Sequence, residues 1–319
     1  MIRIVFLFFL FSSIASATSI EQLVERISTD SLKSYITTLS SDAMEGRETG
    51  TLGQKQAADY IAKKFRKIGL ESFTDNYLQQ YDYSVDTANK IYTNLTGHNV
   101  IGFIRGNLPN AKTLIISAHY DHLGIKDSLV YNGADDNASG VAAIIEIARI
   151  FSDEAKLGNK PDNTILFIAF SGEEKGLLGS NYYVKNTVIP LNKCIANINI
   201  DMIGRIDAKH ATDSNYVYVI GSEKIKKSLK RLIIKQNSLY NNLSLDFSFD
   251  RNDVNRYYYR SDHYNFAKNK IPIAFYFNGT HEDYHKPSDD VSKIKFELLT
   301  NRVKHIYGVV FKIAQLKKL

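Results

Sequence analysis

The chain has 319 residues, of which 44% are hydrophobic and 23% charged, and this composition excludes an intrinsically disordered protein. Its net charge is +6. In the densest basic stretch, residues 224–231, apolar residues are interleaved with the basic ones, which predicts an amphipathic helix with an exposed basic face. We therefore expect no nucleic-acid partner. Cys194 is the only cysteine, so an internal disulfide is excluded.

Residues 1–17 predict a signal peptide. Arg3 provides a positive start, residues 4–14 are almost wholly apolar, and Ala15-Ser16-Ala17 form a small-residue cleavage pattern. The apolar run is shorter than the roughly 20 residues that a membrane-spanning helix needs. We expect cleavage after about Ala17, export to the periplasm or the medium, no stable membrane anchor, and a single domain over residues 18–319. An uncleaved anchor is the alternative.

The predicted elements begin with helices and continue as an alternation of strands and helices. Apolar residues at helical spacing predict helices over 19–40 and 53–65, the second ending near Gly69, and residues 77–104 favour short strands. Further on, strands are predicted at 113–118, 164–170, 194–200, 216–220 and 271–277, and helices at 138–151, 177–184, 261–268 and over most of 292–319. Residues 240–260 have the weakest pattern. Continuous apolar strands between helices indicate an α/β fold with a mostly parallel mixed central sheet and helices on both faces.

Imidazole and carboxylate side chains follow these strands. They are His119, Asp121 and His122 after the first of them, Asp135 and Asp136 before the next helix, Glu173 and Glu174, then Asp201, and finally His281 and His285. Ligands of an open α/β sheet bind at the carboxyl ends of its strands, so these side chains are expected to meet. So many clustered carboxylates need cations for neutralisation, and this donor set suits zinc.

The segments AHYDHLG, GADDNASG, FSGEEKGLLGS, NIDMIG and EDYHKPSDD resemble, in this order, those of the co-catalytic zinc aminopeptidase family. That family also contains glutamate carboxypeptidase, the transferrin receptor and, more distantly, glutaminyl cyclases. The similarity spans roughly residues 40–300, and the segment MEGRETGTLGQKQAADYIAKKF resembles the usual leader of exported bacterial members. The resemblance implies a zinc-dependent exopeptidase fold and one metallopeptidase catalytic domain.

Carried over position by position, the resemblance implies two zinc ions per chain. Its metal ligands would be His119 and Asp201 for one ion, Glu174 and His285 for the other, and Asp136 as a bridge between both. Glu173 would be the general base that takes a proton from a water bridging the two ions. The resemblance also implies a cis peptide bond between Asp136 and Asn137.

Further roles follow from the same resemblance. Asp121 would hold the second ring nitrogen of His119, and Tyr284 would hydrogen-bond the developing oxyanion. His285 is favoured over His281 as ligand, and structural roles are expected for His122 and His263.

The function implied is that of an aminopeptidase, which releases N-terminal amino acids from peptide or protein substrates. A glutaminyl cyclase and a carboxypeptidase with Arg256 or Arg260 as its basic pocket stay open as alternatives. A non-catalytic binding protein is the remote one, since every ligand position is filled. The oligomeric state and the preferred side chain are not predicted.

Overall fold

A computed structural model describes residues 18–74, 76–86, 92–240 and 242–319, so the predicted signal peptide lies outside the described residues. Within these ranges no helix is both long and apolar enough to cross a membrane. The central sheet has the strand order β1-β2-β6-β3-β7-β10-β8-β9. Its strands are β1 (Leu78–Asp86), β2 (Tyr92–Ile104), β3 (Thr113–His119), β6 (Thr164–Phe170), β7 (Cys194–Ile200), β8 (Tyr216–Ile220), β9 (Ser244–Asp246) and β10 (Ile273–Phe277). A separate small hairpin pairs β4 (Ile125–Lys126) with β5 (Leu129–Val130).

The middle of the sheet is parallel and its flanks are mixed. Strands β6, β3, β7 and β10 run parallel to one another. On one side β2 pairs antiparallel with β6 and β1 with β2. On the other side β8 runs antiparallel to β10, and β9 parallel to β8. The predicted fold class, a mostly parallel mixed sheet in an α/β protein, is confirmed.

Helices cover both faces of the sheet, which explains why its central strands are apolar at successive positions. In β3, Leu114 and Ile116 pack into one core with α2, α3, α4 and α8, whereas Ile115 packs into a second core with α5 and α7. The helices are α1 (Ile20–Val24), α2 (Thr29–Leu39), α3 (Leu52–Ile68), α4 (Gly140–Lys156), α5 (Leu178–Lys185), α6 (Lys227–Tyr240), α7 (His263–Lys268) and α8 (Phe296–Ala314). Both sides of the central strands are thus removed from water.

One expectation about local structure is wrong. The helix predicted over 19–40 is two helices, because Ser28 caps the second one by accepting the N–H of Ser31, and its own N–H is bound by the Glu146 carboxylate at 2.8 Å. The region around 240–260 contains the short strand β9. The sequence does not predict this strand, because its residues are only partly buried or exposed and so show no alternation of apolar and polar positions.

Candidate metal centre

The carboxyl ends of the parallel strands bring the predicted ligands to one edge of the sheet. His119 is the last residue of β3, and Asp201 directly follows β7. Glu174 lies in the loop after β6, and His285 in the loop after β10. Asp136 lies in the turn Ala134–Ser139 that leads into α4. Residues far apart in the sequence therefore converge on one place, as the strand-end argument predicts.

The donor atoms form two groups that share Asp136. The Nε2 atom of His119 lies 3.2 Å from Asp201 Oδ1 and 3.3 Å from Asp136 Oδ1. The Nε2 atom of His285 lies 3.2 Å from Asp136 Oδ2 and 3.2 Å from Glu174 Oε1. Each carboxylate oxygen of Asp136 thus faces a different group.

These spacings fit zinc. With zinc–ligand bonds of about 2.0 Å, the ligands of a tetrahedral site lie about 3.3 Å from one another. The four nitrogen–oxygen distances above are 3.2–3.3 Å. Imidazole nitrogens and carboxylate oxygens are also the donors that zinc accepts. The residues present therefore fit zinc.

His122, for which a structural role is predicted, lies beside these donor groups. Its Nδ1 lies 3.1 Å from Glu174 Oε1 and 3.8 Å from Asp136 Oδ2, so its side chain joins a possible metal-binding group with both. Its Nε2 has no hydrogen-bond partner among the described residues. Because a ligating histidine normally donates its other N–H, this favours a hydrogen bond from Nδ1 to Glu174 over direct ligation.

Glu173 lies close to the first group, and its donor atom can approach those of His119 and Asp201. Burial raises the pKa of Glu173 well above its usual value; His119 opposes this shift, and the carboxylates of Glu174 and Asp201 add to it. In this position the Glu173 carboxylate can take a proton from a nearby water and return it, as a general base must.

Without a cation, protonated imidazoles balance the negative charge of the carboxylates. Burial alone would lower the pKa of His285, but hydrogen bonds with Asp136 and Glu174 outweigh it and raise the pKa to about 10. Burial also opposes a raised pKa for His119, but its carboxylate neighbours, Asp201 first among them, raise that pKa well above its usual value. Zinc must replace these protons, so its binding would release them.

The Asp121 carboxylate, which is predicted to hold the ring of His119, lies near that ring but beyond hydrogen-bond distance. Its Oδ1 lies 3.7 Å from His119 Nδ1, whereas the main-chain oxygen of Asp121 lies 3.2 Å from that nitrogen. The carboxylate instead accepts the backbone N–H groups of Glu173, at 3.2 Å, and Glu174, at 3.3 Å. Asp121 therefore orients the loop that carries these two glutamates, because hydrogen bonds from N–H groups to a carboxylate are stronger than those between neutral groups.

Asp135 and His281 form a support behind the bridging residue. Asp135 Oδ1 accepts the N–H of Gly204 at 2.6 Å, and its Oδ2 lies 3.2 Å from His281 Nε2. His281 thus contacts Asp135, whereas His285 faces the two donor groups. Asp289, which sequence reasoning missed, accepts the N–H groups of Asp135 and Asp136. The peptide bond between Asp136 and Asn137 is cis, as expected.

A cleft opens beside the donor groups, with an aromatic wall. It is lined by His119, Asp136, Glu173, Glu174 and Asp201 and, on its other side, by Met202, Tyr257, Arg260, Ser261, Phe275, Phe277, Thr280 and Tyr284. The ring of Tyr284 stacks on His285 with 3.9 Å between centroids, and its hydroxyl accepts a hydrogen bond from Arg260 Nη2 at 3.1 Å. Tyr284 therefore borders the metal centre, as its predicted role requires.

His263 is a buried structural histidine. Its Nε2 contacts the Tyr258 carbonyl at 2.8 Å, and its ring stacks on Phe275. Burial lowers its pKa to about 3, so it stays neutral at physiological pH.

Solved structures of similar shape include a zinc aminopeptidase from Bacillus subtilis and the glutaminyl cyclase of Porphyromonas gingivalis. The first has a TM-score of 0.71 at 18% identity over 92% of this chain and 97% of that chain. The second has a TM-score of 0.69 at 20% identity over 91% and 99%. At such identities these similarities show the fold alone.

Among curated proteins, leucine aminopeptidase 1 of Trichophyton rubrum is 27% identical over 303 residues, which cover 90% of this chain and 77% of that protein. The chain spans less than half the length of four other curated relatives, between 38% and 46%. The model of peptidase family M28 matches residues 99–310, which is more than half of the chain and includes all the donor residues described above. By this match, the chain belongs to peptidase family M28.

Proposed function

We propose that this protein is an aminopeptidase that uses two zinc ions per chain. His119 and Asp201 would hold one ion, Glu174 and His285 the other, and Asp136 both. The observation that carries the proposal is the Asp136 carboxylate, which presents one oxygen to each donor group at 3.2–3.3 Å. The similarity to leucine aminopeptidase 1 over most of both chains favours this activity over the other chemistries of the fold.

When bound, the zinc ions would supply Lewis-acid polarisation and a lowered pKa for water. The chain's own residues do the remaining work. Glu173 accepts the proton of the attacking water on its carboxylate and returns it to the leaving amine. Tyr284 accepts a hydrogen bond from Arg260, so its own hydroxyl hydrogen is free to be donated to the carbonyl oxygen of the substrate.

The cleft supports a preference for an apolar N-terminal residue. Met202, Tyr257, Phe275 and Phe277 form one continuous apolar cluster that borders the cleft next to Asp201. An apolar side chain placed there would be removed from water, which contributes roughly 25 cal/mol per Å² of buried surface.

The sequence pattern also indicates the location of the protein and its domain organisation. We propose that residues 1–17 direct export to the periplasm or the medium, and that residues 18–319 form one catalytic domain acting on peptides.

An assay on aminoacyl p-nitroanilides and N-terminal glutaminyl peptides tests this function. We expect release of the amine, faster for leucine and phenylalanine than for aspartate or lysine, because the cleft wall is apolar. Chelation should abolish the activity and zinc should restore it, with metal analysis finding two ions per chain. Cyclisation of glutaminyl peptides without hydrolysis would instead identify a glutaminyl cyclase.

A carboxypeptidase is the second candidate, because Arg260 lines the cleft and forms no ion pair with any residue that the structure describes. The other arginine considered, Arg256, lies over the ring of Tyr259 and does not line the cleft. For an aminopeptidase, Arg260→Gln should change kcat/KM equally for free-acid and amidated peptides. A loss of about tenfold or more for the free acids alone, as expected when a charge-assisted bond to a carboxylate is removed, would favour the carboxypeptidase.

A further inference from the structure

Thr49 lies outside the stretch that matches the family, yet its side chain reaches the loop of the two active-site glutamates. It is buried, with 1% of its surface exposed. Its hydroxyl donates to Asp121 Oδ2 at 3.0 Å and accepts the N–H of Gly172 at 2.8 Å. A threonine hydroxyl has one hydrogen to donate, so its orientation is determined by these two partners.

Together Thr49 and Asp121 bind three successive backbone N–H groups. Thr49 accepts that of Gly172, and Asp121 accepts those of Glu173 and Glu174. A loop whose N–H groups are all directed at fixed acceptors has one backbone path. The directions of the Glu173 and Glu174 side chains depend on that path.

Arg47 fixes the segment from which Thr49 projects. Its fully buried guanidinium donates to the carbonyls of Leu39, Tyr120, Asn132 and Gly133, at 2.5–2.9 Å. Tyr120 follows the ligand His119, and Gly133 begins the turn to Asp136. The main-chain carbonyl of Thr49 also accepts the Tyr83 hydroxyl at 2.7 Å. Thr49 is thus anchored to the same loops that carry the ligands.

We propose that Thr49 is a positioning residue of the metal centre, which acts through Asp121 and Gly172 on the general base Glu173 and the ligand Glu174. The inference rests on the proposed zinc-dependent reaction. It assigns a role in that reaction to the segment MEGRETGTLGQKQAADYIAKKF, in which Thr49 lies in a polar loop between two helices.

Thr49→Val tests the role, because valine has nearly the same shape but neither donates nor accepts. Partners that orient metal ligands typically contribute 10- to 100-fold to metal affinity or activity. We expect zinc affinity, measured by chelator competition, to fall about tenfold or more, and kcat to fall 10- to 100-fold with KM changed less than about threefold. Thr49→Ser keeps the hydroxyl and should stay within about threefold of the wild type in both.

The matched control is Thr300→Val. Thr300 is also buried, but its hydroxyl contacts that of Thr29, 2.9 Å away, where α8 packs against α2. It should change the Tm of the metal-free protein without changing zinc affinity. If Thr49→Val folds poorly, Thr49→Ala, which leaves room for water, carries the same expectation.

Three results would overturn the proposal: zinc affinity and kcat of Thr49→Val within about threefold of the wild type, a serine variant as impaired as the valine variant, or a wild type that binds no zinc. If the wild type binds zinc and Thr49→Val weakens that binding, but no peptide is hydrolysed, the positioning role stands and the proposed activity fails.

Discussion

Replacing Glu173 by glutamine is expected to abolish hydrolysis, with kcat lowered by about 10²–10⁴-fold, while both zinc ions stay bound. Glutamine has the size of glutamate, and its backbone N–H can still bind the Asp121 carboxylate. What it lacks is a carboxylate that can take a proton from water. Turnover of leucine p-nitroanilide and zinc content per chain are the two measurements.

The zinc measurement discriminates between two roles of Glu173, because its donor atom lies within reach of those of His119 and Asp201. If Glu173 were a ligand of that group, the glutamine variant would lose one zinc together with its activity. Glu146→Gln is the control, since Glu146 is a buried glutamate that binds Arg149 and the Ser28 N–H in the helical layer. Activity of Glu173→Gln within tenfold of the wild type would rule out the role of general base.

Asp136→Asn is expected to weaken zinc binding at both positions, by more than the 10- to 100-fold typical for residues that only orient ligands. The amide has no negative charge and offers one oxygen, so one donor group loses a ligand and the other loses its charge compensation. Isothermal titration of the metal-free protein with zinc would show whether one or two binding events are weakened.

Asp135→Asn is the neighbouring control. The Asp135 carboxylate binds the Gly204 N–H and lies next to His281, so it faces away from the two donor groups. We expect this variant to lose thermal stability but to bind two zinc ions. The bridging role of Asp136 would be refuted if Asp135→Asn lost the metals and Asp136→Asn kept them.

Sequence reasoning located the candidate ligands because strand ends are visible in a sequence. A buried parallel strand is a short apolar run, and the first polar residues after it lie at the carboxyl edge of the sheet. His119, Glu174 and Asp201 were found in this way, and the resemblance to a known family chose His285 over His281 and Asp136 over Asp135. In the structure, His285 and Asp136 face the donor groups, whereas His281 and Asp135 contact each other.

Residues that support the ligands were harder to find, because hydrogen bonds between distant segments leave no pattern in a sequence. Thr49 and Asp289 are ordinary loop residues by sequence. The side-chain partners of Thr49 lie 72 and 123 positions away along the chain, and the N–H groups that the Asp289 carboxylate binds lie 153 and 154 positions away. Asp121 was identified as a supporting residue, but the hydrogen bonds that its carboxylate accepts from Thr49, Glu173 and Glu174 were not.

By itself, the sequence determined the α/β class, the limits of the central strands and the set of side chains that gather at one edge. It could do so because burial on both faces of a sheet requires long apolar runs, and a loop must follow each run. Only the tertiary structure decided how those side chains are oriented: which oxygen of Asp136 faces which group, that His122 lies beside Glu174, and that a buried Arg47 binds four carbonyls. The physical reason is that direction and partnership depend on distances between segments, and these distances exist only once the chain is folded.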